Sequence, residues 1–171
     1  MLRQETTRTR RDGVLVGRLR VGDTEAYDRV RSFLGASVEL YPEIDEWWQR
    51  RVLPALLRRE RICYAAVEEG RLVGLCIGKV AARSAKLCTL RVDSSVQGLG
   101  VGSQLLTHFV RDVKRIGTSQ MHFTISEAVD SDCGAYFRGL GFVRRARHPK
   151  RGRAAGDELV YALSMPRPTS P

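Results

Sequence analysis

The sequence predicts a single mixed α/β domain, and three observations carry that expectation. The chain has 171 residues, enough to bury one core. Segments with strand-like alternation are interleaved with segments whose apolar residues recur three and four apart. Three successive strand-like segments precede a glycine-rich turn that opens the most strongly amphipathic stretch of the chain. With 43% hydrophobic and 28% charged residues, 16 Gly and 6 Pro, the composition is globular and excludes disordered, collagen-like and disulfide-scaffold chains. No apolar run reaches the roughly 18 residues of a membrane span.

Taken in order, residues 1–13 are polar and basic, with Arg3, Arg8, Arg10 and Arg11 and no apolar stretch behind them; they are expected to be a flexible tail and not a secretory signal. Val14–Val21 alternates and is expected to be a strand. Asp23 is placed to cap a helix whose buried face is Ala26, Val30, Phe33 and Leu34. A second helix follows Pro42 and buries Ile44, Trp47 or Trp48, Val52, Leu56 and Leu57, with Pro54 expected to kink or divide it. Ile62–Glu68 and Arg71–Val80 form a hairpin through Glu69-Gly70, and Ala85–Val92 follows as the next strand.

After the glycine turn, Val101, Leu105, Leu106, Phe109, Val110 and Val113 mark one face of a helix ending near Ile116. Gln120–Ser126 is a strand, about Asp132 to Leu140 a short helix, and Phe142–Arg147 and Glu158–Ser164 a closing pair of strands joined by a basic loop. Residues 14–165 thus form the domain and 166–171, with Pro166 and Pro168, a C-terminal tail.

Cys63, Cys76, Cys88 and Cys133 are widely spaced, and three lie in apolar runs, so they are expected to be reduced packing residues of a cytoplasmic protein. His108, His122 and His148 stand too far apart for a zinc site, and no metal is expected. The net charge of +10 is uneven: residues 1–20 contribute +4 and 138–153 contribute +7, while 21–137 is neutral. A neutral body with two basic ends suits phosphate-rich or acidic partners, and equally an ordinary solvated surface in a chain where Arg outnumbers Lys 25 to 4.

The stretch Leu90–Ser103 carries the functional information. Glycines at Gly98, Gly100 and Gly102 remove the Cβ atoms that would keep a ligand from the backbone. The first amides of the following helix then face that space, and the helix dipole favours an anion there. No Gly-Lys-Ser/Thr follows, so this is not a Walker loop. A dinucleotide fingerprint would need its third glycine at Ser103 and a first-strand position, and has neither. A glycine turn without a ligand stays as the bland alternative.

Gln97-Gly98-Leu99-Gly100-Val101-Gly102 resembles the Gln/Arg-x-x-Gly-x-Gly/Ala pyrophosphate loop of the GNAT superfamily, the acetyl-CoA-dependent N-acetyltransferases. Tyr136-Phe137-Arg138-Gly139-Leu140-Gly141-Phe142 is similar to that family's aromatic and Gly-Phe landmark, and the element order matches over about residues 14–165. The resemblance implies a central sheet of about seven strands, splayed between the fourth (Ala85–Val92) and fifth (Gln120–Ser126), with about four flanking helices. Pantetheine would enter the splay and bond to the backbone near Leu90 and Val92, the diphosphate would lie on the N–H groups of Leu99, Gly100, Val101, Gly102 and Ser103, and Gln97 and Gly98 of the same loop count with the cofactor-binding residues. It implies an N-acetyltransferase moving acetyl from acetyl-CoA directly to a primary amine of a small molecule, protein or peptide, with no metal and no membrane. A homodimer and a nucleic-acid partner stay open.

Acetyl transfer needs a neutral amine, a donor for the oxyanion, for which an N–H near Val92 is suited, and an acid for the departing thiolate. Here the chain departs from the family, because the usual tyrosine position is Phe137 and the tyrosine stands one place earlier, at Tyr136. Tyr136 is nominated as acid and Glu127, just past the fifth strand, as base; the plainer readings are an aromatic packed on the core with its hydroxyl at the surface and a solvated strand-end residue. Glu39, which precedes Tyr41, is a rival base, His122 is expected in the core, and Cys133 is a poor candidate nucleophile because direct transfer requires none. The other functions compatible with these residues are a non-catalytic acyl-CoA-binding module and an RNA-associated GNAT-type protein.

Overall fold

In a computed structural model of the chain, residues 9–11, 13–36, 43–149 and 157–165 are described. Among the described residues, eight strands are hydrogen-bonded in the order β1-β2-β3-β4-β5-β6-β8-β7, and five α-helical segments accompany them. By its internal contacts the chain divides into two compact units, one of residues 1–79 and 89–112 and the other of 80–88 and 113–171.

The first unit begins with β1 (Thr9–Arg11) and β2 (Val14–Arg18), paired antiparallel with Arg11 opposite Val14. The sheet therefore starts inside the segment expected to be a tail. Backbone pairing needs no apolar pattern, and the Asp12-Gly13 dipeptide is a two-residue hairpin signal, with Gly13 at φ +88°. The strand expected over Val14–Val21 stops at Arg18, and Gly22 turns the chain at φ +90°. In α1 (Thr24–Gly35), Asp23 caps by accepting from the Ala26 amide at 3.0 Å, and Tyr27, Val30 and Leu34 are buried.

The second predicted helix is a continuous rod of three parts. It runs through α2 (Ile44–Trp47), one wide π-helical turn (Trp48–Val52) and α3 (Leu53–Leu57). Pro54 has no N–H to donate, and the wide turn just before it absorbs the misfit that the sequence predicted as a kink or break. Trp48 is the core tryptophan, edge-on to Tyr27 with centroids 6.2 Å apart; Trp47 is half-buried under the Arg61 guanidinium.

β3 (Arg61–Glu68) and β4 (Arg71–Val80) pair through Glu69 and Gly70, both at positive φ as this two-residue hairpin demands. Strand alternation then sorts the faces. Cys63, Ala65, Leu75 and Ile77 join Trp48, Val52, Leu56 and the α1 residues in one core. The opposite face carries Tyr64, Ala66, Gly74 and Gly78 and receives α4 (Val101–Arg115). Gly74 and Gly78 are the seat of that helix: a Cβ on Gly74 would lie 3.0 Å from Leu105, and one on Gly78 would lie 2.0 Å from the Phe109 ring.

In the second unit, the start of β5 (Ala85–Val92) pairs in parallel with β6 (Gln120–Ser126) at Ala85↔Met121 and Lys86↔His122. Those are the two parallel pairs among the described residues, whereas on its other edge β6 pairs with β8 (Glu158–Ser164) for its full length of seven residues. This early parting is the splay of a mixed sheet. β7 (Val143–His148) closes the edge against β8, one residue out of step with the expected Phe142–Arg147. α5 (Glu127–Gly139) starts five residues before the predicted Asp132, because Ser126 at the end of β6 caps it directly, accepting from the Val129 amide. Phe123, Phe137, Phe142 and Tyr161 form its aromatic core, with Phe123 stacked on Tyr161 at 5.3 Å.

Candidate active site

The glycine turn lies wholly within the first unit. After β5, Asp93 caps a single 3₁₀ turn, Ser94–Val96, accepting from the Ser95 amide at 3.0 Å and the Ser95 hydroxyl at 2.6 Å. Arg71 braces the turn from β4, donating to Asp93 at 3.2 Å and to Ser95 Oγ at 2.9 Å. The Ser95 bonds hold the Asp93 carboxyl below the usual range, with burial opposing them and the Arg71 guanidinium adding to them. Val96 is buried and anchors the loop beneath its exposed tip.

Gly98 and Gly100 sit at φ +79° and +78°, in the left-handed region where side chains are strained. A Cβ at Gly98 would meet nothing within 4 Å, and one at Gly102 would touch only Val92 at 3.5 Å. Gln97, Gly98, Leu99 and Ser103 are exposed, and Gly100 and Gly102 partly so. Val101 is buried, and Gln104 N–H donates to Gly100 O at 3.0 Å, so the helix begins at once after the turn. The amides of its first turn thus lie beside a stretch of backbone that no side chain crowds at Gly98, with the positive end of the helix dipole behind them.

Two further bonds orient the strand leading into the turn. Asp93 N–H donates to Val73 O at 2.8 Å, so alternation directs the backbone groups of Leu90 and Val92 to the edge away from β4. Gln97 Nε2 donates to Val92 O at 3.0 Å. The Gln97 side chain, expected among the cofactor-binding residues, thus closes the turn on the Val92 carbonyl, and the Val92 N–H has no part in that bond.

The acid and base candidates belong to the second unit. Glu127 is the first residue of α5, and its carboxylate accepts from Arg147 at 2.9 Å; Arg147 also bonds Asp157 at 2.6 Å. Phe137, at the family's tyrosine position, is buried in the aromatic core, while Tyr136 is 36% exposed and meets Phe137 edge-on at 5.2 Å. The helical step between them, about 100°, separates the two environments. His122 is half-buried, and desolvation and Lys86 lower its pKa. Cys133 bonds Val129 O, and burial, Asp130 and Asp132 push its thiol up, the reverse of an activated nucleophile. Glu39 and Tyr41 lie outside the described residues, as do Lys150, Arg151 and Arg153 of the basic loop. Among the described residues no group of three or more His, Cys, Asp or Glu is placed to hold a metal, and no helix is long and apolar enough to cross a membrane.

The acetyltransferase (GNAT) family model matches residues 24–142, which contain the turn, β5, α4 and the Gly141-Phe142 landmark. The chain belongs to this family. No curated protein matches it in sequence. Among solved structures, a GNAT-family protein from Desulfovibrio desulfuricans is similar at 21% identity, covering 88% of this chain and 98% of the other, with a TM-score of 0.75. Aminoglycoside 6'-acetyltransferase type Ii is similar at 19% identity, covering 90% and 99%, with a TM-score of 0.74. The PaiA N-acetyltransferase of Thermoplasma acidophilum, solved with coenzyme A, is similar at 16% identity, covering 89% and 99%, with a TM-score of 0.62. At these identities the likeness is one of fold.

Two features of this GNAT chain escaped the sequence reading. The Asp93–Ser95–Arg71 brace was visible as an Asp-x-Ser turn signal, but its arginine lies 22 residues away. Arg91, a lone charge between Leu90 and Val92, was a visible anomaly whose partners only folding brings near. Its Nη1 donates to Phe33 O at 2.8 Å and Leu34 O at 3.3 Å, and its guanidinium lies 4.8 Å from the Phe33 ring centre.

Proposed function

We propose that this GNAT-family acetyltransferase moves acetyl from acetyl-CoA to a primary amine, with the coenzyme's diphosphate on the amides from Leu99 to Ser103. The observation that carries the reading is the left-handed Gly98 and Gly100 beside an uncrowded helix start. Pantetheine would run along β5 and bond to the outward backbone of Leu90 and Val92, as an added strand does. The amine nitrogen attacks the thioester carbon, the Val92 N–H steadies the oxyanion, and the C–S bond then breaks. The amine gives up its proton and the thiolate takes one, so no net charge accumulates.

Tyr136 is proposed as the acid and Glu127 as the base. The Arg147 ion pair opposes the latter role, since the carboxylate already accepts from a guanidinium at 2.9 Å. The same two facts, an ion-paired Glu127 and a core phenylalanine at the tyrosine position, favour the second reading: an acyl-CoA-binding module without turnover.

Calorimetric titration with acetyl-CoA, followed by assay of free thiol across an amine panel, separates the two. Binding with thiol release supports the enzyme, binding without it supports the module, and no binding ends both. Gly100→Val, which adds both bulk and backbone strain, is expected to weaken acetyl-CoA binding about 10-fold or more.

A further inference from the structure

We propose that the acceptor amine also carries an anionic group, a carboxylate or a phosphate, and that Arg91 binds it through its Nε–H and Nη2–H. The inference rests on the acetyl-transfer reading above and narrows its substrate class.

Arg91 lies on β5 between the two residues whose backbone is offered to pantetheine, so an amine approaching the thioester passes along the same strand. Alternation puts the Arg91 side chain on the face opposite Val92. Val92 turns toward Gly102 of α4, and Arg91 turns toward the C-terminal end of α1.

The guanidinium is held rather than loose. Both of its bonds to α1 use Nη1, to the carbonyls of Phe33 and Leu34, and its plane rests near the Phe33 ring. Nε and Nη2 have no partner among the described residues, and no carboxylate there pairs with Arg91. Those two donors form one edge of the planar fork, the arrangement that matches both oxygens of a carboxylate or two of a phosphate.

A half-buried arginine with no acid beside it among the described residues is costly in a site meant for a cationic polyamine, because it would repel the substrate. It is an asset where the substrate brings the missing anion. The charge of the whole chain, +10, draws anionic solutes in the same direction.

The experiment uses the full chain and matched amine pairs that differ by the anionic group: L-phenylalanine against phenethylamine, and O-phosphoethanolamine against ethanolamine. Acetyl-CoA turnover is read as thiol release, and kcat/KM is compared within each pair for the wild type, Arg91→Lys and Arg91→Gln. The expected result is a preference of about 10-fold or more for an anionic member, lost in Arg91→Gln and only partly kept in Arg91→Lys. The two pairs tell carboxylate from phosphate.

Arg91 also ties down α1, so melting temperature and acetyl-CoA affinity are measured on each variant. A purely structural role would lower turnover of both members of a pair alike and leave their ratio unchanged. That result overturns the proposal, as does preference for the neutral member or absence of turnover for every anionic amine. Loss of acetyl-CoA binding by the wild type would mark failure of the acetyl-transfer reading instead.

Discussion

Alanine at Gly78 would place its methyl 2.0 Å from Phe109 Cζ and 2.2 Å from Cε2, where ordinary contact between carbons is about 3.5–4.0 Å. The ring would have to retreat by about 1.5–2 Å. Phe109 is 0% exposed, so no solvent lies behind it and the retreat must be shared by α4 as a whole. Overpacking of this kind costs about 1–3 kcal/mol, and the depth of the overlap argues for the upper end. Alanine stiffens the unfolded chain and returns about 0.4–1 kcal/mol. The net loss expected is about 2 kcal/mol, a fall in melting temperature of roughly 4–8 °C for a chain of this size. Because Gly78 is not at positive φ, the loss is steric and not conformational. Urea titration followed by circular dichroism measures it, and a double-mutant cycle assigns it. Phe109→Leu alone costs about 1–2 kcal/mol, but in that background the alanine meets a smaller side chain, so the two losses should fall short of additivity by at least about 1 kcal/mol. Equal cost of Gly78→Ala in both backgrounds, or a cost below about 0.5 kcal/mol, would refute the packing argument. Since α4 carries the loop amides, Gly78→Ala should also weaken acetyl-CoA binding in the calorimeter.

Other expectations follow from the same geometry. Asp112, 6% exposed, accepts from the buried Tyr64 hydroxyl at 2.5 Å and from Arg18 at 3.3 Å; Asp112→Ala should cost about 2–4 kcal/mol in denaturant titration and Asp112→Asn clearly less, since the amide oxygen still accepts. His108 stacks on Tyr64 and accepts from Arg111 at 2.8 Å; burial first, and Arg111 next, push its pKa below the ordinary 6.5, with Asp112 opposing. Its neutral form is the folded one, so stability is full above pH about 6.5 and falls as the pH drops through the interval in which only the unfolded chain takes the proton. His108→Gln should flatten the thermal-melt profile between pH 8 and 5.5, and an unchanged slope would count against the assignment. Tyr136→Phe should lower kcat with little change in acetyl-CoA affinity if its hydroxyl protonates the thiolate. Glu127→Gln should shift the melting point by no more than the ~1 kcal/mol of an exposed ion pair, so a large fall in kcat there would speak for a role in proton removal.

Local patterning and its limits divide the sequence reading from the structure. The Asp23 cap, the Glu69-Gly70 hairpin, the stripe of α4 and the strands Ala85–Val92, Gln120–Ser126 and Glu158–Ser164 were legible because each is dictated by neighbours within a few residues. The start of α5 was missed because Ser131 and Asp132 look like loop residues, whereas the cap that counts is Ser126. β1 was missed for want of apolar alternation, although Asp12-Gly13 announced its turn. The glycine turn stands where the sequence places it, and within it the Gln97 side chain bonds Val92 O, a contact the sequence did not announce.

By itself, then, the amino-acid order determined most of the run of elements, the family and the place of the glycine turn, since those depend on periodicity, caps and missing Cβ atoms along a short contour. Only the tertiary structure decided which tryptophan is core, that Phe137 is buried while Tyr136 is exposed, that Glu127 is taken by Arg147, and that Arg91 is anchored on α1 through Nη1. These are matters of rotation about a helix and of meetings between residues 20 to 58 positions apart. No local pattern encodes a meeting of that range, because it is the packing of one element on another that brings the two groups within hydrogen-bond reach.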